Sequence, residues 1–252
     1  MPQNKTIYHR LLEIWRKRGA VYAVLIDPDR KNADSIDERV QTANESGVDV
    51  IFVGGSLMMD GSYQERIERI KALSRLPVIF FPGGVSQLNP AFDAMLFLSI
   101  ITGRNPHYLI GEQVIAAPLV KDIAIETIAT GYMLIDGGTR TTVEVMSGTS
   151  PIPGDRIDVA VAHALAAQYL GMAMVYLEAG SGARNPVPLP MVDAVTKALD
   201  IPVIVGGGIK TPDVARERVV AGAGIIVTGT VFESQQDAHI MHEFSRAVHI
   251  KE

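Results

Sequence analysis

Two carboxylates and a set of glycine loops carry most of the chemistry legible in this sequence. Asp27 follows the apolar run Tyr22–Ile26, in Ile26-Asp27-Pro28-Asp29, and Glu178 follows the run Met172–Leu177. Short apolar runs of this kind read as buried parallel strands, so both acids stand just past strand C-termini. A hard cation such as Mg2+ takes oxygen ligands, commonly one or two carboxylates completed by substrate phosphate oxygens. Asp27 suits that role, and Ser56, after the run Val48–Val53, offers a hydroxyl at the adjacent strand end. The competing reading has Asp27 and Asp29 cap a turn around Pro28. Glu178 suits a general base or an acceptor for a substrate hydroxyl. Its competing reading is a carboxylate that holds loop N–H groups. Tyr176 shares a strand face with Glu178 by alternation, so its phenol either meets a phosphate or hydroxyl or packs in the core.

The glycine loops suggest what the acids work on. In the stretch from Ile201 to Thr230, Gly206-Gly207-Gly208 follows Val203–Val205, and Thr228-Gly229-Thr230 follows Ile225–Val227. Between them Thr211-Pro212-Asp213 reads as a helix start, with Thr211 as N-cap and Pro212 at the first helical position. Without Cβ atoms, glycines let backbone N–H groups close on an anion. Two such loops one βα unit apart make a phosphate cup, against the plainer reading of tight turns. In (β/α)8 barrels that cup usually follows strands seven and eight, which suits the position of this stretch. Gly180-Ser181-Gly182 follows Glu178 in the same manner. Lys210 and Arg184 stand near these loops and read as solvated.

The elements that must position these groups alternate along the chain. Thr6–Lys17 reads as an amphipathic helix that plugs the bottom of a barrel. Strands are expected at Tyr22–Ile26, Val48–Val53, Pro77–Phe81, Ala94–Ile100, Gly131–Ile135, Met172–Leu177, Val203–Val205 and Ile225–Val227. Helices are expected at Asp34–Ser46, Ser62–Leu73, Asn105–Glu126, Asp155–Leu170, Pro190–Leu199 and Gln235–Val248. Only Val85–Phe92 separates the third and fourth strands, too little for a crossover helix, so the third helix is degenerate or replaced. The region Asn105–Glu126 is apolar beyond one buried face (Leu109, Ile110, Val114, Ile115), which suggests a subunit contact. Asp136–Pro153 reads as a long loop, of a kind that often covers barrel active sites. The result is a single (β/α)8 TIM-type barrel domain over residues 1–252. His107, His163, His242 and His249 fall on expected helices, away from the catalytic end, and read as surface or interface residues.

The totals fit. A length of 252 residues matches the roughly 250 typical of one such barrel. The net charge of −5 offers no basic stripe for nucleic acid. With no cysteine there is no thiol nucleophile, disulfide or thiolate metal site, in keeping with a cytoplasmic protein. The polar start, MPQNKTIYHR, lacks a signal core. No apolar run approaches a membrane span, so any membrane contact would be peripheral.

The segment YLEAGSGA (Tyr176–Ala183), together with IDPD (Ile26–Asp29), FVGGS (Phe52–Ser56), VGGGIKTPDVAR and TGT (Thr228–Thr230), resembles the geranylgeranylglyceryl phosphate synthase family along nearly the whole chain. The resemblance implies a modified (β/α)8 barrel with the third helix replaced. It also implies an Mg2+-dependent prenyltransferase that joins a prenyl diphosphate, geranylgeranyl diphosphate above all, to the 3-hydroxyl of sn-glycerol 1-phosphate. The product is an ether lipid precursor, with diphosphate released. Carried over by motif, Asp27 and Ser56 become the Mg2+ ligands. Glycerol 1-phosphate falls on Tyr176, Leu177, Glu178, Ala179, Gly180, Ser181, Gly182, Gly207, Gly208, Gly229 and Thr230, and Glu178 is the candidate proton acceptor. Some bacterial relatives carry a lysine two positions before the first aspartate. Leu25 stands there in this chain, which resembles the longer, archaeal-type branch. A homo-oligomer, dimer or higher, is expected. The readings that compete are a phosphosugar isomerase-type phosphate-binding barrel and a non-catalytic phosphate- or flavin-binding barrel.

Overall fold

The computed structural model describes residues 6–234 and 238–251. Eight parallel strands close a barrel in sequence order: β1 (Val21–Ile26), β2 (Val50–Val53), β3 (Val78–Phe80), β4 (Ala94–Ile100), β5 (Glu126–Leu134), β6 (Met174–Glu178), β7 (Val203–Gly206) and β8 (Ile225–Thr228). β8 returns to β1 with Ala23 opposite Val227, so no strand keeps a free edge. Around them run α1 (Ile7–Arg18), α2 (Ile36–Glu45), α3 (Tyr63–Leu73), α4 (Glu112–Ile123), α5 (Thr142–Ser147), α6 (Ile157–Tyr169), α7 (Leu189–Ala198), α8 (Pro212–Val220), α9 (Val231–Ser234) and α10 (Ala238–Val248).

Strand alternation sorts the apolar side chains into two cores. Ala23, Phe52, Ile79, Leu96, Tyr132, Tyr176, Ile204 and Val227 fill the barrel interior. Their neighbours Tyr22, Val24, Ile51, Val175, Leu177, Val205 and Ile226 pack outward against the helices. Tyr176 and Glu178 therefore face one way and Leu177 the other.

The lower end of the barrel is closed by both ends of the described chain. α1 starts on Thr6, whose hydroxyl accepts from His9 N at 3.3 Å, and it lays Ile7, Leu11, Ile14 and Trp15 on the interior core. The Glu126 carboxylate, at the foot of β5, accepts from Ile7 N at 2.7 Å and Tyr8 N at 2.9 Å. Just before β2, Asp49 accepts from Arg18 Nη1 at 2.6 Å and Tyr22 N at 2.8 Å, and meets His249 Nε2 at 2.8 Å. Ser245 Oγ donates to Gly47 O at 3.0 Å, and Lys251 N to Arg18 O at 3.1 Å. His249 is thus buried in this tie, not on the surface as expected.

Other expectations also need correction. Between β3 and β4 there is a single 3-10 turn, Val85–Gln87, so the third helix is indeed replaced. The expected helix Asn105–Glu126 is instead a π turn, His107–Gly111, leading into α4. It stops at Ala124, whose φ of 55° is left-handed. Glu126 already belongs to β5, which begins five residues before the expected Gly131 because polar Glu126-Thr127 hides the strand. The expected loop Asp136–Pro153 holds α5, opened by a capping box in which Thr141 and Glu144 satisfy each other's backbone N–H. A 3-10 turn, Arg30–Ser35, replaces the start of the helix expected at Asp34. Residues 235–237 of the expected last helix lie outside the described residues.

Candidate functional site

A cavity of about 670 Å3 opens at the C-terminal ends of the strands. Its polar lining comes from β6, β7, β8, β1 and β2, through Glu178, Ser181, Gly207, Thr230, Asp27 and Ser56. Its apolar lining comes from β3, β4 and the start of α4, through Phe80, Met95, Phe97, Ile100 and Ala116. The replaced third helix contributes Val85 and Leu88 to the same wall. Gln87 holds this segment in place, donating to Gly55 O at 2.7 Å and accepting from Gly83 N at 3.0 Å.

Glu178 is buried, and its Oε1 accepts from Gly180 N at 2.6 Å. Burial pushes its carboxyl above the ordinary glutamate range, while the Tyr176 phenol and the Gly180 N–H pull it back. Tyr176 is fully buried, and burial first, then the nearby Glu178 charge, keeps its phenol neutral. The phenol stands next to the carboxylate, but Tyr176 Oη makes no hydrogen bond of normal geometry and is a buried oxygen without a partner. A buried hydroxyl of this kind costs free energy unless something completes it.

The glycine cup is built by backbone packing. Gly207 has φ +80° and Gly208 +67°, where side chains are strained. A Cβ on Gly207 would overlap Glu178 Oε1 and stand 2.5 Å from Gly180 N. A Cβ on Gly206 would overlap Tyr176 Oη. Only glycine lets the β7 loop lie this close to the acid. The β6 and β8 loops meet through Ser181 Oγ and Thr230 Oγ1, 3.1 Å apart.

Of the residues expected to bind glycerol phosphate, Tyr176, Glu178, Ser181, Gly182, Gly207, Gly208, Gly229 and Thr230 line the cavity. Leu177, Ala179 and Gly180 do not. Leu177 and Ala179 pack in the outer core, and the Gly180 N–H is held by Glu178. Lys210 lines the rim, where its Nζ donates to Arg184 O at 3.2 Å. Tyr132, Thr141, Glu112 and Gln113 also line the cavity and escaped the sequence reading. For Thr141 a signal existed in the Thr-x-x-Glu capping box. For Glu112 and Gln113 no local pattern marks them.

Asp27 and Ser56 both line the cavity. Asp27 Oδ1 accepts from Asp29 N at 3.1 Å, so the turn around Pro28 also exists. Gly55 makes room for this carboxylate, since a Cβ there would overlap Asp27 Oδ1. Tyr63 packs nearby, its phenol pushed up by burial and then by the Asp27 charge. Asp29 Oδ1 is buried without a hydrogen-bond partner. No group of three or more acidic or histidine side chains that could hold a metal occurs among the described residues. One carboxylate and one hydroxyl facing a cavity fit Mg2+, which commonly takes its remaining ligands from phosphate and water.

These features define a (β/α)8 barrel whose glycine-lined, acidic strand-end site opens into an apolar chamber. The chain belongs to the PcrB family, which it matches over residues 12–247. It is 46% identical to the geranylgeranylglyceryl phosphate synthase of Spirosoma linguale, over 90% of this chain and 93% of that one. It is 44% identical to the same enzyme of Thermococcus kodakarensis, covering 91% and 89%. Its fold superposes on the (S)-3-O-geranylgeranylglyceryl phosphate synthase of Thermoplasma acidophilum, solved with its substrate sn-glycerol-1-phosphate. That likeness has a TM-score of 0.89 at 38% identity, over 97% of this chain and 99% of that one. The family named by the motifs and the family of these relatives agree.

Proposed function

We propose that this protein transfers a prenyl group from a prenyl diphosphate, geranylgeranyl diphosphate by family kinship, to the 3-hydroxyl of sn-glycerol 1-phosphate. The observation that carries this reading is one cavity with two chemistries: a glycine cup beside a buried acid, continuous with an apolar chamber deep in β3 and β4. A phosphosugar needs only the first half, and a prenyl chain needs the second. Glycerol phosphate sits with its phosphate on the N–H groups of Gly182, Gly207, Gly208 and Gly229 and on the hydroxyls of Ser181 and Thr230. Its 3-hydroxyl lies at the free oxygen of Glu178, which accepts the proton, and Tyr176 Oη donates to the substrate. Fixing the nucleophile in this way removes the entropic part of a two-substrate barrier. Asp27 and Ser56 would hold Mg2+, which when bound supplies the charge that lets diphosphate leave.

The same reading extends to the assembly and setting. Ile110, Val114, Ile115 and Leu119, on and before α4, are 58%, 63%, 52% and 50% exposed. We assign this face to a homo-oligomer contact. No helix among the described residues is long and apolar enough to cross a membrane, and we assign the protein to the cytoplasm, with peripheral contact where lipid substrate is taken up.

The test is transfer of labelled sn-glycerol 1-phosphate into an organic phase, with prenyl diphosphates of several lengths and sn-glycerol 3-phosphate as control. Transfer that requires Mg2+ and prefers the 1-phosphate supports the reading. No transfer with any donor would overturn it.

A further inference from the structure

Three aromatic rings meet in the cavity between the candidate metal ligand and the candidate base. Phe81, just past β3, lies with its ring centroid 5.5 Å from that of Tyr176 and 6.0 Å from that of Tyr132. Tyr132 and Tyr176 face each other across β5 and β6 as register partners, 5.3 Å apart and nearly edge to face. All three line the cavity. At one end, Phe81 packs against Gly54, whose added Cβ would lie 3.3 Å from Phe81 Cβ, and Gly55 next to it cradles Asp27. At the other end, Tyr176 stands beside Glu178 and Gly206. The trio therefore bridges the place a diphosphate leaves and the place a hydroxyl arrives.

We infer that Phe81 and Tyr132 are catalytic residues whose ring faces stabilise the positive charge that develops on the allylic carbon during prenyl transfer. This rests on the prenyltransferase reading. In the step, the allylic C–O bond breaks and its electron pair leaves with diphosphate. The glycerol 3-hydroxyl oxygen forms the new C–O bond, and its proton passes to Glu178. Between bond breaking and bond making the carbon is electron-poor. An aromatic face attracts a cation through its quadrupole, most strongly where water is excluded. Unlike a carboxylate or phenolate, it forms no bond to the carbon and so does not compete with the hydroxyl. Both tyrosines are kept as neutral phenols by burial and by the Glu178 charge, which preserves that property. Phe81 has no polar atom at all. Tyr176 is reserved for its phenol, so the cation falls to the other two rings.

The test replaces Phe81 with mono-, di- and trifluorophenylalanine, which keep ring size and apolar character while draining the π face. The parent must turn over geranylgeranyl diphosphate and sn-glycerol 1-phosphate; if it does not, both the function and this inference fall. With an active parent, kcat should decline in steps as fluorines are added, reaching about ten- to thirtyfold in the trifluoro protein. KM and melting temperature should hardly change. Tyr132→Phe should keep kcat within about threefold and Tyr132→Leu should lose about tenfold or more. A flat kcat across the fluorine series, with the parent active, would overturn the role of the rings while leaving the transferase reading intact.

Discussion

Removing one oxygen atom from Tyr176 should make this protein more stable and a poorer enzyme. The side chain is fully buried, and its Oη has no hydrogen-bond partner. A buried, unsatisfied hydroxyl costs roughly 1–3 kcal/mol. Tyr176→Phe keeps the ring and its contacts with Phe81 and Tyr132 while deleting that cost. Taking the lower figure, the ligand-free protein gains about 1 kcal/mol, which for a chain of this size raises the melting temperature by about 2–4 °C. Substrate loses a donor to a charged or developing oxygen, about 1.5–3 kcal/mol. That is about ten- to a hundredfold in kcat/KM. Differential scanning calorimetry without ligand and the label-transfer assay read the two effects on one sample. The reasoning is refuted by the opposite pairing. A lower melting temperature with unchanged kcat/KM would mean that the phenol serves the fold by bonding to the Glu178 carboxylate beside it.

Four further outcomes can be checked. Glu178→Gln should lower kcat by about a hundredfold or more with glycerol phosphate still bound in calorimetry; near-full turnover would remove Glu178 as proton acceptor. The same variant tests burial of the acid. The Glu178 carboxyl titrates above its unfolded value, so the folded state binds the extra proton. Its stability contribution is complete below about pH 4 and is lost as pH rises through the raised value. The glutamine variant should then melt with the parent in acid and above it at pH 7–8, and a pH-independent difference would contradict this. Glu126→Ala should free Ile7 N and Tyr8 N, cost about 1–2 kcal/mol by analogy with helix caps, and leave kcat alone, since Glu126 lies at the opposite end of the barrel; a large loss of kcat would show that the two ends are coupled. If the α4 face joins subunits as proposed, Val114→Glu with Leu119→Glu should leave a 27.2 kDa species in light scattering, whereas a wild-type monomer would refute the α4 contact.

The parts of the fold legible in sequence were those with a strong local signal. Val203–Val205 is followed directly by Gly206 and Ile225–Val227 by Thr228-Gly229, and a buried parallel strand ending in a loop accounts for both short runs. The missing third helix was visible because length alone forbids it. The parts that were hidden depend on distant partners. The foot of β5 begins Glu126-Thr127, polar residues that a strand tolerates there because Glu126 caps α1. His249 looks like any helix-end histidine until Asp49, 200 residues away, is seen against it. At the candidate site, chain order located Glu178 and the glycines, because strand ends and alternation are local. Carrying the motif over whole set Leu177 beside Tyr176 as a ligand, although alternation alone places the two on opposite faces of the strand. Tyr132 and Phe81 carry no motif at all and become a pair only when the barrel closes.

The tie at the foot of the barrel bears on how the chain is made. α1 and β1 are synthesised before β8 and α10, so Gly47, Asp49 and Arg18 find Ser245, His249 and Lys251 only once that later stretch has emerged. The second neighbour of β1 is likewise β8. Until then the nascent barrel has open strand edges, one of them on β1, and Asp49 lacks its His249 partner. Closure comes as a single late event. A chain that stops before Ser245 would lack all of these ties and could not lock, which makes it a natural target for chaperones and proteases.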